Sequence, residues 1–269
     1  METGTILFAL GLTLFAGLST GIGSLIAFYQ KSMKPGFLSG ALGFSAGVMI
    51  YVSMIEIFVK ARDSLETHFD NASLGYLITT LSFFGGIALI AAIDKFVPDA
   101  ENPHEIRDVD DMEDSEQKKR SLLRMGLFSA LAIAIHNFPE GLATFIGAIQ
   151  DPTLGISIAV AIAIHNIPEG ISVSVPIYYA TGSRRKAFGY SFLSGLAEPI
   201  GALIGFFVLR AFITDALFGI VFAGVAGIMV YISLDELLPT AEKYGKHHIA
   251  IGGLIAGMIV MASSLVLFA

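Results

Sequence analysis

The chain has 269 residues, 54% of them hydrophobic and only 14% charged, and its mean hydropathy is +0.74. A soluble domain carries about 25% charged residues, so this composition excludes an ordinary soluble protein. The chain contains no cysteine, which removes disulfides, thiolate metal ligands and cysteine nucleophiles, and its net charge of -7 owes much to one acidic segment over 99–116 and gives no support for nucleic-acid binding.

A membrane-crossing helix needs about 20 mainly apolar residues. Eight stretches meet that requirement: 5–28, 37–59, 73–93, 122–149, 153–180, 187–210, 213–238 and 248–268. They predict an all-α integral membrane protein of one domain over 1–269. The first stretch is too long for a signal-peptide core and follows no basic segment, so it reads as a retained span. The 29 glycines are spread through the apolar runs, where small residues let helix backbones approach closely in lipid. With the N-terminus outside, thirteen of the sixteen Lys and Arg residues fall on the cytoplasmic side, and only Lys60, Arg62 and Arg210 fall outside. The excess of basic residues in cytoplasmic loops therefore puts both termini outside the cytoplasm of a cell (inner or plasma) membrane.

In the second span the run Gly47-Val-Met49-Ile-Tyr51-Val-Ser53-Met-Ile-Glu56 carries a carboxylate, Glu56, toward the outer end. It reads either as a metal entrance or as an ordinary helix-end acid near the headgroups. The connection 94–120 is rich in acids, with Pro98 and Pro103 and almost no large apolar residues. Such a segment cannot bury enough surface to fold alone, so it predicts a mobile cytoplasmic loop. His104 and its neighbouring carboxylates could bind metal weakly, but a solvated polar linker explains the block as well.

The fourth span holds Ala132-Ile-Ala-Ile-His136-Asn137-Phe-Pro139-Glu140-Gly141, and the fifth holds Ala161-Ile-Ala-Ile-His165-Asn166-Ile-Pro168-Glu169-Gly170. Nine of the ten positions match at an offset of 29. Ionisable side chains in such runs are costly and mark function. Residues four apart share a helix face, so His136 aligns with Glu140 and His165 with Glu169. Pro139 and Pro168 deprive the Ile135 and Ile164 carbonyls of their usual donors, which is tolerable only where protein or water surrounds them.

The sixth span adds Glu198 before Pro199. Three facing carboxylates without a cation would repel one another, and a divalent ion removes that cost. Imidazole, amide and carboxylate donors suit Zn²⁺, Fe²⁺, Co²⁺ or Mn²⁺ and disfavour Cu⁺. Histidine binds metal only when neutral, so binding should release protons.

The seventh span, Gly227-Ile-Met229-Val-Tyr231-Ile-Ser233-Leu-Asp235-Glu236, repeats the second at an offset of 180. Asp235 and Glu236 lie toward its inner end and are candidates for the exit. Gly17-Leu18 and Ile22 of the first span match Gly195-Leu196 and Ile200 of the sixth at an offset of 178. Spans 1 and 6, 2 and 7, and 4 and 5 each differ by an odd number of crossings. They are therefore antiparallel, a 3+2+3 inverted-repeat arrangement of the kind transporters use.

The paired His-Asn-Xaa-Pro-Glu-Gly motif, Ala197-Glu198-Pro199 and Asp235-Glu236-Leu-Leu-Pro239 resemble the bacterial branch of the ZIP (zinc/iron-regulated transporter-like) family of metal-ion permeases. The resemblance covers all eight spans. It implies a binuclear site, with one metal on His136, Glu140, His165 and Glu169. The second would use Asn137, Glu140, Asn166, Glu169 and Glu198, with Glu140 and Glu169 bridging. It also implies import of zinc into the cytosol, with iron, manganese or cobalt accepted. No cofactor is expected beyond the transported ion. The expected partners are the bilayer, divalent metal ions and a second copy in a homodimer. Many family members carry a His-rich cluster before the fourth span, whereas here only His104 occurs, which weakens a metal-sensing role for that loop. The rival reading is an intramembrane zinc hydrolase, but no His-Glu-Xaa-Xaa-His pattern occurs. A membrane receptor would need a folded cytoplasmic domain, for which 94–120 is too short and polar.

Overall fold

The computed structural model describes residues 3–29, 35–95, 115–209 and 214–268. All the regular structure among them is helical: α1 (Thr3–Tyr29), α2 (Pro35–Val52), α3 (Phe58–Phe69), α4 (Ala72–Lys95), α5 (Ser115–Gln150), α6 (Pro152–Thr181), α7 (Arg184–Gly195), α8 (Ala197–Leu209), α9 (Asp215–Ile232), α10 (Leu238–Tyr244) and α11 (His247–Phe268). They assemble into eight rods long and apolar enough to cross a bilayer, matching the eight expected stretches.

Local chemistry sets the ends. α3 stops at Asp70, a left-handed residue (φ 48°) whose N–H bonds the Glu66 and Thr67 carbonyls. α6 starts with the Asp151 carboxylate accepting from the Thr153 N–H at 2.8 Å, beside Pro152 in the first turn. It closes on Gly182 (φ 64°), whose N–H bonds Tyr178. Both ends satisfy backbone groups that have no partner within the helix.

Three rods are not continuous α-helix. The second and seventh pass through π-helical turns at Ser53–Ile57 and Ser233–Leu237, at places that correspond under the 180 offset. The sixth breaks at Leu196, between α7 and α8. Pro199 lacks the N–H that would bond the Gly195 carbonyl four residues back. The fourth and fifth instead run unbroken through Pro139, Pro168 and Pro176.

The expected loop over 94–120 is corrected at both ends. α4 continues to Lys95 and α5 already begins at Ser115. Ser115-Glu-Gln-Lys-Lys-Arg120 is rich in strong helix formers, and adding residues to an already nucleated helix is far easier than starting one. Residues 96–114, including His104, lie outside the described residues.

The rods pack as two groups. α1, α5, α6, α7 and α8 contact one another, and α2, α3, α4, α9, α10 and α11 form the other set. The groups meet where α2 lies on α6, with lesser contacts of α5 on α9 and α6 on α11. The fifth span is 78% buried, against 22% for the third and the eighth, so α6 is the axis of the molecule. Exposed Leu81, Phe207, Val266 and Leu267 lie on outer surfaces, as expected where lipid replaces water. At one end of the assembly, Gln150 donates to the Asp215 carboxylate at 3.3 Å and Ser64 donates to the Asp215 carbonyl at 2.9 Å.

Candidate metal centre

α5 and α6 cross the interior side by side and bring the two motif copies together. Asn137, Glu140, His165, Asn166, Glu169 and Glu198 are all fully buried at 0% exposure. The His136 side chain lies outside the described residues, though its backbone is helical within α5. The fourth and fifth spans are joined through His165 Nε2, which stands 3.4 Å from Glu140 Oε2. The fifth and sixth are joined through Asn166, whose amide donates to a Glu198 carboxylate oxygen. Glu140 and Glu169 both lie near enough for their charges to act on Glu198.

The two asparagines are held alike. Asn166 Nδ2 donates to the Ala16 carbonyl of α1 at 3.1 Å, and Asn137 Nδ2 donates to the Ser194 carbonyl of α7 at 3.4 Å. Each amide thus anchors its donor end to backbone and leaves its oxygen for other use. Asn137 Oδ1, Glu140 Oε1, Asn166 Oδ1 and Glu198 Oε2 are buried and accept no hydrogen bond among the described residues. Buried polar groups are nearly always bonded, and four acceptors in one place are an arrangement that a cation satisfies. Among the described residues no three His, Asp or Glu side chains alone converge as a metal cage.

The glycines that end the two motifs have a packing reason. A Cβ on Gly141 would run into the Glu198 backbone of α8, and one on Gly170 into the Thr20 carbonyl of α1. Only glycine lets these backbones touch. Ser45 of α2 donates to the His165 carbonyl at 3.2 Å, a bond between the two groups of helices that reading the sequence did not find. Removing it in S45A should lower thermal stability in detergent by about 1 kcal/mol, the usual net worth of such a bond.

The peripheral candidates do not join this cluster. Glu56 sits half-buried in the first π turn, where the charges of Lys60 and Asp151 act on it. Asp235 is half-buried and Glu236 buried in the second. π turns inside helices often mark functional positions. Periodicity and composition carry no signal for a π turn, so neither turn was expected from the residues alone.

Comparison with known proteins agrees with this chemistry. The family model described as ZIP Zinc transporter matches residues 96–264. The chain is 67% identical over 267 residues to the zinc transporter ZupT of Chlorobium chlorochromatii, covering 99% of each chain. It is 67% identical over 265 residues to that of Chlorobaculum parvum, covering 98% of each, and 62% identical over 266 residues to that of Lysinibacillus sphaericus, again 98% of each. An all-helical, eight-span chain that buries imidazole, amide and carboxylate donors in its interior, and that matches these relatives nearly end to end, belongs to the ZIP zinc transporter family.

Proposed function

We propose that this protein imports zinc into the cytosol, passing the ion through the buried cluster on the fourth, fifth and sixth spans. The observation that carries the reading is the set of four buried oxygen acceptors on Asn137, Glu140, Asn166 and Glu198 that receive no hydrogen bond among the described residues. In our reading His136, His165 and Glu169 complete the set, Glu140 and Glu169 bridge two metal positions, and Fe²⁺, Mn²⁺ or Co²⁺ can replace zinc. The donors replace the water shell the ion sheds. Being mostly oxygen, without thiolate, they can release it again. The identity to proteins named zinc transporters supports zinc as the substrate, and nothing in the comparisons supports a hydrolase.

The same reading takes the chain as a 3+2+3 inverted repeat with both termini outside. The corresponding π turns and the like anchoring of Asn137 and Asn166 support that arrangement. The end at which Gln150 and Asp215 meet is then the outer one, where Glu56 receives metal, while Asp235 and Glu236 hand it on at the inner side. Uptake of zinc into proteoliposomes of purified protein, at varied pH and with competing metals, tests the function directly; no uptake above empty vesicles refutes it. In the same assay E56Q and E236Q should raise the KM for zinc about fivefold while sparing the maximal rate, since each removes one attracting charge worth about 1 kcal/mol. Unchanged KM values in the double variant would remove the relay.

A further inference from the structure

Thr20, within α1, behaves unlike six other threonines of the helices. Thr13, Thr67, Thr79, Thr80, Thr144 and Thr181 each donate to a carbonyl three or four residues back, at 2.7 to 3.0 Å. Thr20 is fully buried, yet its Oγ1 makes no hydrogen bond among the described residues. The reason lies one turn back. The Ala16 carbonyl, its natural acceptor, already receives the Ser19 hydroxyl at 2.6 Å and the Asn166 amide at 3.1 Å. The Thr20 hydroxyl is left beside Gly195, where a Cβ would come within 2.8 Å of it. Gly195 stands three residues before Glu198 in the chain, and Thr20 shares the α1 face of Ala16, whose carbonyl holds Asn166.

The internal repeat points the same way. The offset of 178 that aligns Gly17 with Gly195 sets Ala16 opposite Ser194 and Thr20 opposite Glu198. The first of these correspondences is matched by hydrogen bonds, since Asn166 takes the Ala16 carbonyl and Asn137 the Ser194 carbonyl. The position that supplies a carboxylate in the sixth span supplies a hydroxyl in the first.

Resting on the transport reading above, we infer that the Thr20 hydroxyl is an oxygen donor to the ion in transit and a determinant of which metal passes. It faces the ion from the first span as Glu198 does from the sixth, but without charge. A fourth carboxylate in this dry site would deepen the mutual repulsion of Glu140, Glu169 and Glu198 in the absence of metal. A hydroxyl adds a hard oxygen at no such cost, and hard oxygen donors favour Mn²⁺ relative to Zn²⁺.

The test uses the full chain in proteoliposomes, with Zn²⁺ and Mn²⁺ as probes in direct competition. T20V keeps the shape and deletes the oxygen. It should shift the Mn²⁺-to-Zn²⁺ uptake ratio toward zinc by about five- to tenfold, while T20S should return the ratio to the parental value. An unmoved ratio in T20V, or the same shift in T20S, would mean that Thr20 only fills space and would overturn the inference. Should T20V fail to insert, T20A against T20S makes the same comparison. E169A serves as the control for the underlying reading. Lost uptake there beside an unmoved T20V ratio removes Thr20 alone, whereas normal uptake in E169A removes the central site and this inference with it.

Discussion

Replacing Glu140 by alanine is expected to abolish zinc uptake in proteoliposomes while the protein still inserts and purifies as a folded species. Glu140 is fully buried, stands 3.4 Å from His165 Nε2, and offers a second oxygen that takes no hydrogen bond among the described residues. Its loss removes a bridging ligand from the proposed site and strands the imidazole. Losing even the outer partners that orient metal ligands typically costs about 10–100-fold in metal affinity, and losing a ligand itself should cost at least as much. Uptake should therefore fall by at least about a hundredfold at low external zinc. H136A should behave alike, since that residue repeats His165 in the fourth span. E198Q should be milder, because the neutral amide still offers an oxygen; zinc titration should find one position weakened about tenfold. Uptake by E140A at the parental rate would refute the site assignment, whatever the fate of the other variants.

The second large effect is one of stability and needs no metal. G141A should lower the unfolding free energy in detergent by about 1–3 kcal/mol, the usual cost of forcing a methyl into packed structure. The added Cβ would overlap the Glu198 backbone, and the backbone cannot swing aside as a flexible side chain does. G170A should behave alike through the Thr20 carbonyl. The control is G189A, in a helix where nothing lies within 4 Å of the new atom. That change should be neutral or slightly stabilising, because alanine is the better helix former by about 1 kcal/mol. Thermal unfolding of the three variants side by side decides the matter. Equal losses in G141A and G189A would mean that close backbone contact is not what the motif glycine serves. G141A should also impair uptake, because the strain falls on the residue that carries Glu198.

Much of this protein can be read from its residues in order. In a bilayer every backbone polar group must be satisfied within its own segment, so length and apolar content alone yield eight helices, and the described rods follow them closely. The double His-Asn-Xaa-Pro-Glu-Gly motif stands out because charge is so rare in such runs. The prolines of the fourth and fifth spans do not mark the breaks. Those within α5 and α6 leave the helices unbroken, whereas the rods that do depart from α-helix do so at Leu196 and at two π turns. The six residues at 115–120 read as loop on composition, yet they prolong a helix that the apolar run beyond them had already nucleated.

What the linear chain determined by itself was the number of spans, the set of donors and their repetition, since these follow from local cost: what lipid tolerates, and which groups would never be placed there idly. What only the tertiary structure decided was who faces whom. That Asn166 ties itself to the Ala16 carbonyl, that Asn137 does the same at Ser194, and that Thr20 is deprived of its own acceptor depend on contacts between segments 150 and 57 residues apart. The acceptors in those contacts are backbone carbonyls, which are the same in every residue and so leave no mark in the sequence.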